Sequence, residues 1–414
     1  MKVAFVVNDL QLSGGIGVVV QHARGLHHRQ GWDVWLVLAR PQDDPHWAHE
    51  ALAGLRVASL DEARGETFDV AVSTWWETVF ALFELRAERY ASFVQSLEDR
   101  FYRQDDIERL GASLMLDLPV AFLTEARWIR DTLADLRPDA PCLLVRNGID
   151  KAVFPPVARV EPRTSGPLRI LVEGYASTWF KGVNEAIAAA GDMREPRHLT
   201  VVAPDRIGLR AEGADEVIGP ISQRELAERY AQTDVVLKLS QVEGMFGPPL
   251  EGFHRGATCV TTEVTGHEEY IEHGVNALVV DWDDRRGTAR QLDLLARDRM
   301  LLHRLRCGAL ETARDWPDWD RAGELMAVAL RAVADAPPPA PYAHVPRLLG
   351  DLRAGMEAQR LLLQERRELD ARLKRAQRLE RLPGIRQALR VKRSRYGRAV
   401  IRVARPVKRR LLGP

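Results

Sequence analysis

Short, continuously apolar runs recur along the chain and constrain its fold more than any other feature. In the first part of the chain these runs are VAFVV (3–7), DVWLVLA (33–39), DVAVST (69–74), AFLTE (121–125) and CLLVRNG (142–148). Longer segments with helical patterns separate them. Continuous rather than alternating apolarity is typical of strands that are buried on both faces, so we predict a parallel sheet covered by helices.

The series of runs restarts after a proline-containing segment with little pattern, FPPVARVEPRTSGP (154–167). The later runs are LRILVEG (168–174), HLTVVAP (198–204), EVIG (216–219), DVVLKLS (234–240), ATCVTT (257–262) and ALVVDW (277–282). They predict two doubly wound α/β domains joined by a linker. Such sheets bind ligands at the carboxyl ends of their strands, and a cleft between two of them suits a nucleotide-linked substrate.

Composition narrows the class of protein. The chain is 46% hydrophobic but has no apolar run of the length, about 18 residues, that a transmembrane helix needs. The opening MKVAFVVNDL has too short an apolar run for a signal peptide and is interpreted as the first strand. The three cysteines, an odd number without metal-ligand spacing, favour a reducing cytosol. We therefore predict a cytoplasmic protein.

Charge is distributed unevenly along the chain. The net charge is +1, but residues 371–414 carry sixteen Lys or Arg and a single acid, Glu380. After PPPAP (337–341), a loose leucine stripe predicts a helix that Pro383-Gly384 ends. The basic amphipathic remainder suits peripheral attachment to an anionic membrane surface, and the alternative is a flexible solubilising extension. Nucleic acid is a poor candidate partner, because no nucleic-acid-binding fold is recognised there.

Two acids flank a turn in SQVEGMFGPPLEGF (240–253). Pro248 and Pro249 suit the first turn of a helix, where backbone N–H groups have no partner within the helix. Glu243 is therefore predicted on a loop after a buried strand, and Glu251 at the start of the next helix. Glu251 could accept hydrogen bonds from the two hydroxyls of a ribose, and Glu243 from those of a second sugar. The alternative is a helix-favouring acid and an ordinary loop charge.

The pattern S-x-x-EG-x-FG-x-P-x-E, followed by TGHEEYIEHGVNALVV (265–280), resembles the C-terminal signature of family 4 glycosyltransferases of the GT-B fold. Four further segments resemble that family in the same order. They are GGIGVVVQHARGLHHRQGWDVWLVL (14–38), LVRNGIDKAVFPP (144–156), VEGYASTWFKG (172–182) and DWPDWDRAGELM (315–326). The resemblance covers roughly residues 1–335.

This resemblance implies an α/β chain with two doubly wound Rossmann-like domains that face a cleft. Residues 1–150 would form the acceptor-side domain and residues 151–335 the nucleotide-sugar-binding domain. The last helix of the second domain, about 316–335, would return to the first domain. Residues 336–414 would form a proline-rich linker and a basic helical tail.

The resemblance also implies roles for individual residues on the donor side. Glu251 would bind the donor ribose and Glu243 the donor sugar. Backbone N–H groups of Phe246 and Gly247 would meet the sugar or phosphate, and Ile221, in VIGPIS (217–222), would meet the nucleobase.

A glycine loop follows the first strand. Gly14, Gly15 and Gly17 open a predicted helix, and their missing Cβ atoms let backbone N–H groups approach a phosphate. The alternative is a simple turn.

Lys181 would hold the donor diphosphate, and here the chain departs from the family. The family usually has an Arg six residues before this Lys, where this chain has Tyr175. A leaving diphosphate without a metal needs its charge stabilised, so a missing guanidinium matters. Lys238, near the carboxyl end of a buried strand, is a candidate substitute, and the alternative is a lysine that extends to solvent.

A second departure lies in SFVQSLEDRFY (92–102): many members of the family carry a His after the fourth strand, and the aligned residue of this chain is Gln95. Gln95 can hydrogen-bond a sugar but cannot act as a base near pH 7. The pattern T-x-W-E-T … F-V-Q-x-x-E-x-x-F-Y resembles the rhamnan-type rhamnosyltransferase branch, whose donor is dTDP-rhamnose. Trp75, Trp76 and Glu98 are the acceptor candidates, and the alternative for both tryptophans is core packing.

We expect no metal and no other cofactor. The D-W-D triplets (281–283 and 318–320) are interpreted as an acidic cap after a strand and a helix N-cap. The family retains configuration at the anomeric carbon, and no residue is an evident nucleophile, so front-face attack guided by the leaving phosphate is expected. Lys181, Glu243 and Gln95 are the predicted catalytic residues.

The sequence therefore predicts a retaining, metal-independent hexosyltransferase. Its donor would be a nucleotide-diphospho-sugar, dTDP-rhamnose by resemblance, and its acceptor a polysaccharide or lipid-linked glycan of the cell envelope. Two alternatives stay open. A sugar-nucleotide epimerase shares the architecture, and a non-catalytic glycosyltransferase-like scaffold would accommodate Tyr175 and Gln95.

Overall fold

Two parallel sheets form the framework of the protein. The structure is a computed structural model that describes residues 1–11, 13–42, 52–338 and 340–380, with side chains to residue 378. The first sheet has seven strands in the order β3-β2-β1-β4-β5-β6-β7, and the second has six in the order β10-β9-β8-β11-β12-β13. Every strand pair in these two sheets is parallel. The predicted pair of doubly wound α/β sheets is confirmed.

The strands of the first sheet are β1 Lys2–Val7, β2 Asp33–Leu38, β3 Arg56–Ser59, β4 Thr67–Ser73, β5 Arg86–Val94, β6 Ala121–Thr124 and β7 Cys142–Leu144. Those of the second are β8 Leu168–Glu173, β9 Arg197–Val202, β10 Glu216–Ile218, β11 Val235–Lys238, β12 Thr258–Thr262 and β13 Ala277–Val280. The described α-helices are Gly14–Gln30, Leu60–Ala63, Val79–Leu82, Ile107–Leu114, Arg127–Leu136, Val183–Gly191, Gln223–Ala231, Gly247–His254, Arg285–Arg297, Arg299–Asp315, Trp319–Asp335 and Val345–Glu380.

Two strands of the first sheet escaped the sequence analysis. β3 is only four residues long and mostly exposed at the sheet edge, so it carries no apolar run. β5 begins with the charged, partly exposed segment RAERY and becomes continuously buried only in its second half. As a result, Gln95 follows the fifth strand of the chain and not the fourth.

The helix Trp319–Asp335 packs against the first sheet, although it follows the second sheet in the chain. Its Met326 and Leu330 belong to the same buried cluster as Val3 and Phe5 of β1. Gly25 and Gly323 lie at the crossing with the helix Gly14–Gln30, where a Cβ on either residue would lie 3.1 Å from the Cα of the other. The close approach of the two backbones therefore depends on glycine on both sides.

Apolar clusters cover both faces of the second sheet, as its continuously apolar strands predict. One cluster contains Val235 and Leu237 of β11, and the other contains Val236 of the same strand. Alternate residues of a strand point to opposite faces, so burial on both faces explains the unbroken apolar run.

The chain divides into two compact units, Met1–Leu349, which contains both sheets, and a second that begins at Gly350. In the second unit, residues 350–380 are helical, as the leucine stripe predicts, and Leu362, Leu369 and Leu373 are exposed. The predicted break at Pro383-Gly384 and the basic segment after it lie outside the described residues. No helix among the residues described is long and apolar enough to cross a membrane.

Candidate active site

The predicted site residues gather at the carboxyl ends of the strands of both sheets. In each sheet the strand order reverses direction at one point, between β1 and β4 in the first sheet and between β8 and β11 in the second. Loops that leave neighbouring strands in opposite directions at such a point open a crevice for a ligand. Glu173 ends β8 and Lys238 ends β11, so both residues flank the crevice of the second sheet.

Lys181 and Glu243 form an ion pair, although 62 positions separate them in the sequence. The Lys181 ammonium donates to both carboxylate oxygens of Glu243, at 3.0 and 2.9 Å. Glu243 is buried, which acts to raise the pKa of its carboxyl, but the Lys181 and Lys238 charges outweigh burial and the pKa is lowered. Glu243 is therefore an anion held directly against the predicted diphosphate cation.

The backbone around Lys181 is tied to the chain before Glu243. Gly182 has a φ of 63°, and a Cβ there would lie 1.9 Å from the carbonyl oxygen of Leu239. Gln241 donates its backbone N–H to the carbonyl of Phe180 at 2.7 Å. The Lys-Gly pair seen in the sequence thus has a steric reason, because only glycine lets the Lys181 loop lie this close to the end of β11.

Lys238 is almost fully buried and does not extend to solvent. Its ammonium donates to the backbone carbonyl of Glu173 at 3.2 Å and lies 3.9 Å from the Glu173 carboxylate. Its charge also acts on Glu243 and Glu251, where it lowers the pKa of each carboxyl. The interpretation of Lys238 as a solvent-exposed lysine is wrong, and its charge lies within the site.

Glu251 lies in the helix Gly247–His254, which has proline in its first turn as predicted. Burial raises the pKa of its carboxyl to about 8, and the nearby Glu173 carboxylate adds to the rise. A Cβ on Gly247 would lie 3.5 Å from Glu251 Oε1, so the carboxyl lies over the start of its own helix. Glu251 and Glu243 thus occupy different positions and carry different charges near neutral pH.

The other residues predicted to bind the donor differ in how deeply they are buried. Phe246 is buried in a core cluster, and its backbone carbonyl accepts a hydrogen bond from the Tyr270 hydroxyl at 2.6 Å. Ile221 is half-buried and packs against the same cluster. Tyr175 is 38% exposed on the loop after β8.

The glycine loop begins the helix Gly14–Gln30 after β1. Ser13 caps this helix by accepting a hydrogen bond from the backbone N–H of Ile16 at 3.2 Å. Gln95 donates from its side-chain amide to the carbonyl of Gly15 at 3.2 Å, and a Cβ on Gly15 would lie 3.4 Å from that amide. Among the described residues outside the helix itself, none has an atom within 4 Å of a Cβ placed on Gly14 or Gly17. Gln95 thus lies beside a helix start of the kind that can bind an anion.

The two tryptophans after β4 differ in exposure. Trp75 is half-buried and stacks on Phe101, with ring centroids 5.8 Å apart. Trp76 is buried, and its indole N–H donates to the Tyr102 hydroxyl at 2.9 Å, which agrees with core packing. Glu98 accepts the backbone N–H of Trp76 at 2.5 Å.

Glu98 lines a small cavity beside the first sheet. Trp75 and Ser96 line it as well, and the buried Ser96 hydroxyl has no hydrogen-bond partner among the residues that the structure describes. Burial raises the pKa of the Glu98 carboxyl to about 8, and Glu77 adds to the rise. The cavity therefore offers a hydroxyl and a neutral carboxyl group to a polar ligand.

Aromatic and polar side chains join the two sheets across the cleft. Phe101, after β5, stacks on Phe180 beside Lys181 with ring centroids 4.9 Å apart. Arg100 donates to the Thr265 hydroxyl at 2.8 Å. The loops of the first sheet thus contact the loops that carry the donor-side residues.

Sequence reasoning missed a chain of three buried polar residues, His22, Asn147 and Glu125, of which Glu125 accepts the backbone N–H of Met245. Asn147-Gly148 and Thr124-Glu125 were within segments already noted, and Glu125 directly follows β6 at the ligand edge of the sheet. That position was the signal that could have marked Glu125, because loops at this edge form the binding crevice.

The D-W-D triplets have structural roles at element ends. Asp318 caps the helix Trp319–Asp335 by accepting the backbone N–H of Arg321 at 2.9 Å, as predicted. Asp281 follows β13, as predicted for the first triplet. Within the described part of the chain, no group of three or more His, Cys, Asp or Glu residues is arranged to hold a metal ion.

Solved structures share this arrangement of two facing sheets. Anabaena HepE in complex with UDP-glucose matches with a TM-score of 0.65 at 13% identity, over 80% of this chain and 100% of that chain. Sucrose-phosphate synthase from Thermosynechococcus elongatus matches with a TM-score of 0.65 at 16% identity, over 80% and 98%. TarM from S. aureus, in complex with UDP, matches with a TM-score of 0.62 at 7% identity, over 81% and 100%. The protein has the GT-B fold.

The sequence matches one family model over part of its length. Residues 168–298 match the model described as Glycosyl transferases group 1. This segment contains Lys181, Lys238, Glu243 and Glu251, so the residues at the crevice of the second sheet lie within the matched segment. Comparison with curated proteins gave no match.

Proposed function

We propose that the protein is a glycosyltransferase that uses a nucleotide-diphospho-sugar. The observation that carries this proposal is the Lys181–Glu243 ion pair at the crevice of the second sheet, with Glu251 on the adjoining helix. An ammonium suits a diphosphate, and two separate carboxylates suit the hydroxyls of two sugars in one donor.

The donor would lie along the second sheet. Glu251 would accept hydrogen bonds from the ribose, Glu243 from the transferred sugar, and Ile221 would meet the base through its backbone. Lys181 and the buried charge of Lys238 would stabilise the diphosphate. Further donors to the phosphate and sugar are proposed to be the Tyr175 hydroxyl and the backbone N–H groups of Gly14, Gly15, Gly17, Phe246 and Gly247.

Transfer would proceed with retention of configuration and without a metal. The bond between the anomeric carbon and the diphosphate oxygen breaks while the acceptor hydroxyl attacks from the same face. The hydroxyl proton passes to the departing diphosphate, whose charge Lys181 stabilises. Glu243 is ion-paired to Lys181 and hence not free to act as a nucleophile, which favours this route over a covalent intermediate.

The acceptor would bind to residues 1–150, on the side of the first sheet, and the donor to residues 151–335. Trp75 offers a half-buried ring and Glu98 a carboxyl group at the same cavity, and Gln95 lies between them and the glycine loop. Trp76 would contribute only its backbone, because its ring is buried. Gln95 would orient a sugar hydroxyl without acting as a base.

The transferred sugar is proposed to be a hexose, with dTDP-rhamnose as the first donor to test. The resemblance of residues 74–102 to the rhamnan-type branch supports that choice. HepE and TarM were solved with UDP or UDP-glucose, so UDP-sugars form the second group of candidates. The acceptor would be a polysaccharide or lipid-linked glycan, met at the cytoplasmic face of a membrane through the basic tail.

Incubation with a panel of sugar nucleotides tests the proposal. A glycosyltransferase would be stabilised against heat by one donor and would release its nucleoside diphosphate slowly in the absence of acceptor. An epimerase would convert one sugar nucleotide into its epimer without net release. A scaffold would be neither stabilised nor active with any member of the panel, and that result would overturn the proposal.

A further inference from the structure

The loop that carries Glu243 is held from the opposite side of the cleft. We call residues 240–246, between β11 and the helix Gly247–His254, the donor loop. Glu125, directly after β6 of the first sheet, accepts the backbone N–H of Met245 through Oε1 at 2.9 Å. The bonded amide is only two residues from Glu243, so a carboxyl group from the first sheet's side fixes the backbone next to a predicted donor-binding side chain.

The neighbouring peptide group is enclosed by the first sheet's loops as well. Trp128 donates from its indole N–H to the carbonyl of Gly244 at 2.8 Å. A Cβ on Gly244 would lie 1.7 Å from the backbone carbonyl of Gln95 and 2.7 Å from Glu125 Oε1. Only glycine permits this approach, and Gln95, Glu125 and Trp128 all come from the first sheet's side.

Glu125 is itself held in place by a buried polar chain. Asn147 donates from its side-chain amide to Glu125 Oε2 at 2.5 Å, and its own oxygen lies 3.3 Å from His22 Nε2. The exposed fractions of His22, Asn147 and Glu125 are 0%, 3% and 4%. His22 belongs to the helix that begins at the glycine loop, so one connected set of side chains runs from that helix to the donor loop.

Resting on the proposed function, we propose that Glu125 is a positioning residue of the transfer reaction. It fixes the Gly244–Met245 peptide and thereby holds Glu243 and its partner Lys181 in the geometry that the transferred sugar and diphosphate require. Glu125 itself does not touch the donor. Its contact joins the two sides of the cleft, so the donor loop adopts this arrangement only when both sides are in place.

The matched control is Glu269, a second buried carboxylate that joins the two sides. Glu269 lies on the second sheet's side and accepts the backbone N–H groups of Arg127 at 2.6 Å and of Trp128 at 3.4 Å. These bonds are of the same kind and cross the same cleft, but they reach the donor loop indirectly, through Trp128, whose indole bonds Gly244. Comparison of Glu125→Ala with Glu269→Ala therefore separates a specific effect on the loop from a general loosening of the two sides.

The first experiment measures kcat, KM and the Kd for the nucleoside diphosphate. We expect Glu125→Ala to lower kcat by about 100-fold or more, with a smaller change of less than about 10-fold in the Kd, because Lys238 and Glu251, on β11 and the following helix, would still hold the nucleotide. Glu125→Gln keeps an oxygen for Met245 and should recover about 10-fold or more of that loss. Glu269→Ala should lower kcat by less than about 10-fold. A wild-type kcat in Glu125→Ala, or an equal loss in Glu269→Ala, would overturn the proposal.

The second experiment measures amide hydrogen exchange in the donor loop and needs no substrate. Glu125→Ala should speed exchange at residues 240–246 more than Glu269→Ala does. Unchanged exchange in folded Glu125→Ala would show that this carboxyl group does not hold the loop. If the wild type fails with every sugar nucleotide, the proposed function is wrong, and exchange alone then decides whether Glu125 fixes the loop.

Discussion

Lys238 places one positive charge among three carboxyl groups in the interior of the site. Its ammonium lies 3.9 Å from the Glu173 carboxylate. Its charge helps to lower the pKa of Glu243 and partly opposes the rise that burial causes in the pKa of Glu251. In the sequence it occupies a strand that is otherwise apolar, where a lysine can also extend to solvent. Its sequence position suggested the site, but burial of the ammonium could be seen only in three dimensions.

Removing the Lys238 charge should weaken nucleotide binding. Lys238→Ala would remove a cation from the site and leave the Glu243 carboxylate to repel a diphosphate, so we expect the Kd for the nucleoside diphosphate to rise about 10- to 100-fold. Titration calorimetry measures this change. Lys2→Ala is the control. It removes an ion pair with Glu66 at the amino end of β1, away from the ligand-binding ends of the strands, and should leave the Kd for the nucleoside diphosphate unchanged. Unchanged affinity in the Lys238 variant would remove Lys238 from the donor site.

Glu251 should make the stability of the protein depend on pH. Its pKa is about 8 in the folded protein and about 4.5 when the chain is unfolded, because burial disfavours the charged form. The folded state therefore binds the proton more tightly, so this contribution is complete below about pH 4.5 and is lost progressively as the pH rises to about 8. Glu251→Gln removes the titration.

Chemical unfolding of both proteins from pH 5 to pH 9 checks this sign. Relative to Glu251→Gln, the wild type should lose free energy of unfolding as the pH rises, and the difference should level off above about pH 8. Glu98 and Glu125 also have raised pKa values, but they are present in both proteins and cancel in the comparison. Parallel curves for the two proteins would contradict the account of Glu251.

At the scale of elements, the strands that carry an apolar run were predictable and those without one were not. The runs VAFVV of β1, VWLVL of β2 and ILV of β8 are unbroken because these residues are buried or nearly so, and their sequences show it directly. β3 and the first half of β5 carry charged residues because those parts face solvent. No apolar pattern marks them, and only their pairing with β2 and β4 makes them strands.

The helices and loops of the site were likewise predictable only in part. Proline in the first turn predicted the helix that carries Glu251, since its missing N–H costs nothing there. The pairing of Lys181 with Glu243 was not predictable, because it depends on the Gly182 loop lying against the end of β11. Glu125 was missed for a similar reason, as its partner Met245 lies on the other side of the cleft.

The crossing of the helices Gly14–Gln30 and Trp319–Asp335 provides a test of packing. Gly25→Val would place side-chain atoms against Gly323, where even a Cβ lies 3.1 Å from the opposite Cα. We expect a loss of about 1–3 kcal/mol in the free energy of unfolding, measured with denaturant. Gly17→Ala on the same helix meets no atom within 4 Å and should stabilise the helix by up to about 1 kcal/mol. Equal stability of both variants would contradict the close crossing.

For the whole molecule, two sheets with the same strand order face one cleft, and side chains from both sides meet at the donor loop. Sequence patterns predicted both sheets, and the resemblance placed the donor residues on the second. Neither could predict which loops touch across the cleft, because such contacts depend on the relative placement of two independently wound sheets. The sequence says least about where the acceptor binds, and the roles of Trp75, Trp76 and Glu98 there stay predictions.

The basic tail makes a prediction for the complete chain. Removal of residues 337–414 should abolish flotation with vesicles that contain anionic lipid, because each basic residue near such a surface contributes about 1 kcal/mol. The full chain should float with these vesicles at low salt and should not float with neutral ones. Equal flotation of both forms would show that the tail is not the anchor.

The most direct test compares the wild type with Lys181→Ala. The measured quantity is the rate at which nucleoside diphosphate is released when the donor is saturating. Lys181 is the cation that contacts Glu243 and is proposed to stabilise the leaving diphosphate. The account predicts a rate at least about 100-fold lower in the variant, since a lost transition-state contact of this kind is not recovered by more donor. A folded variant that turns over within about 3-fold of the wild type would contradict it.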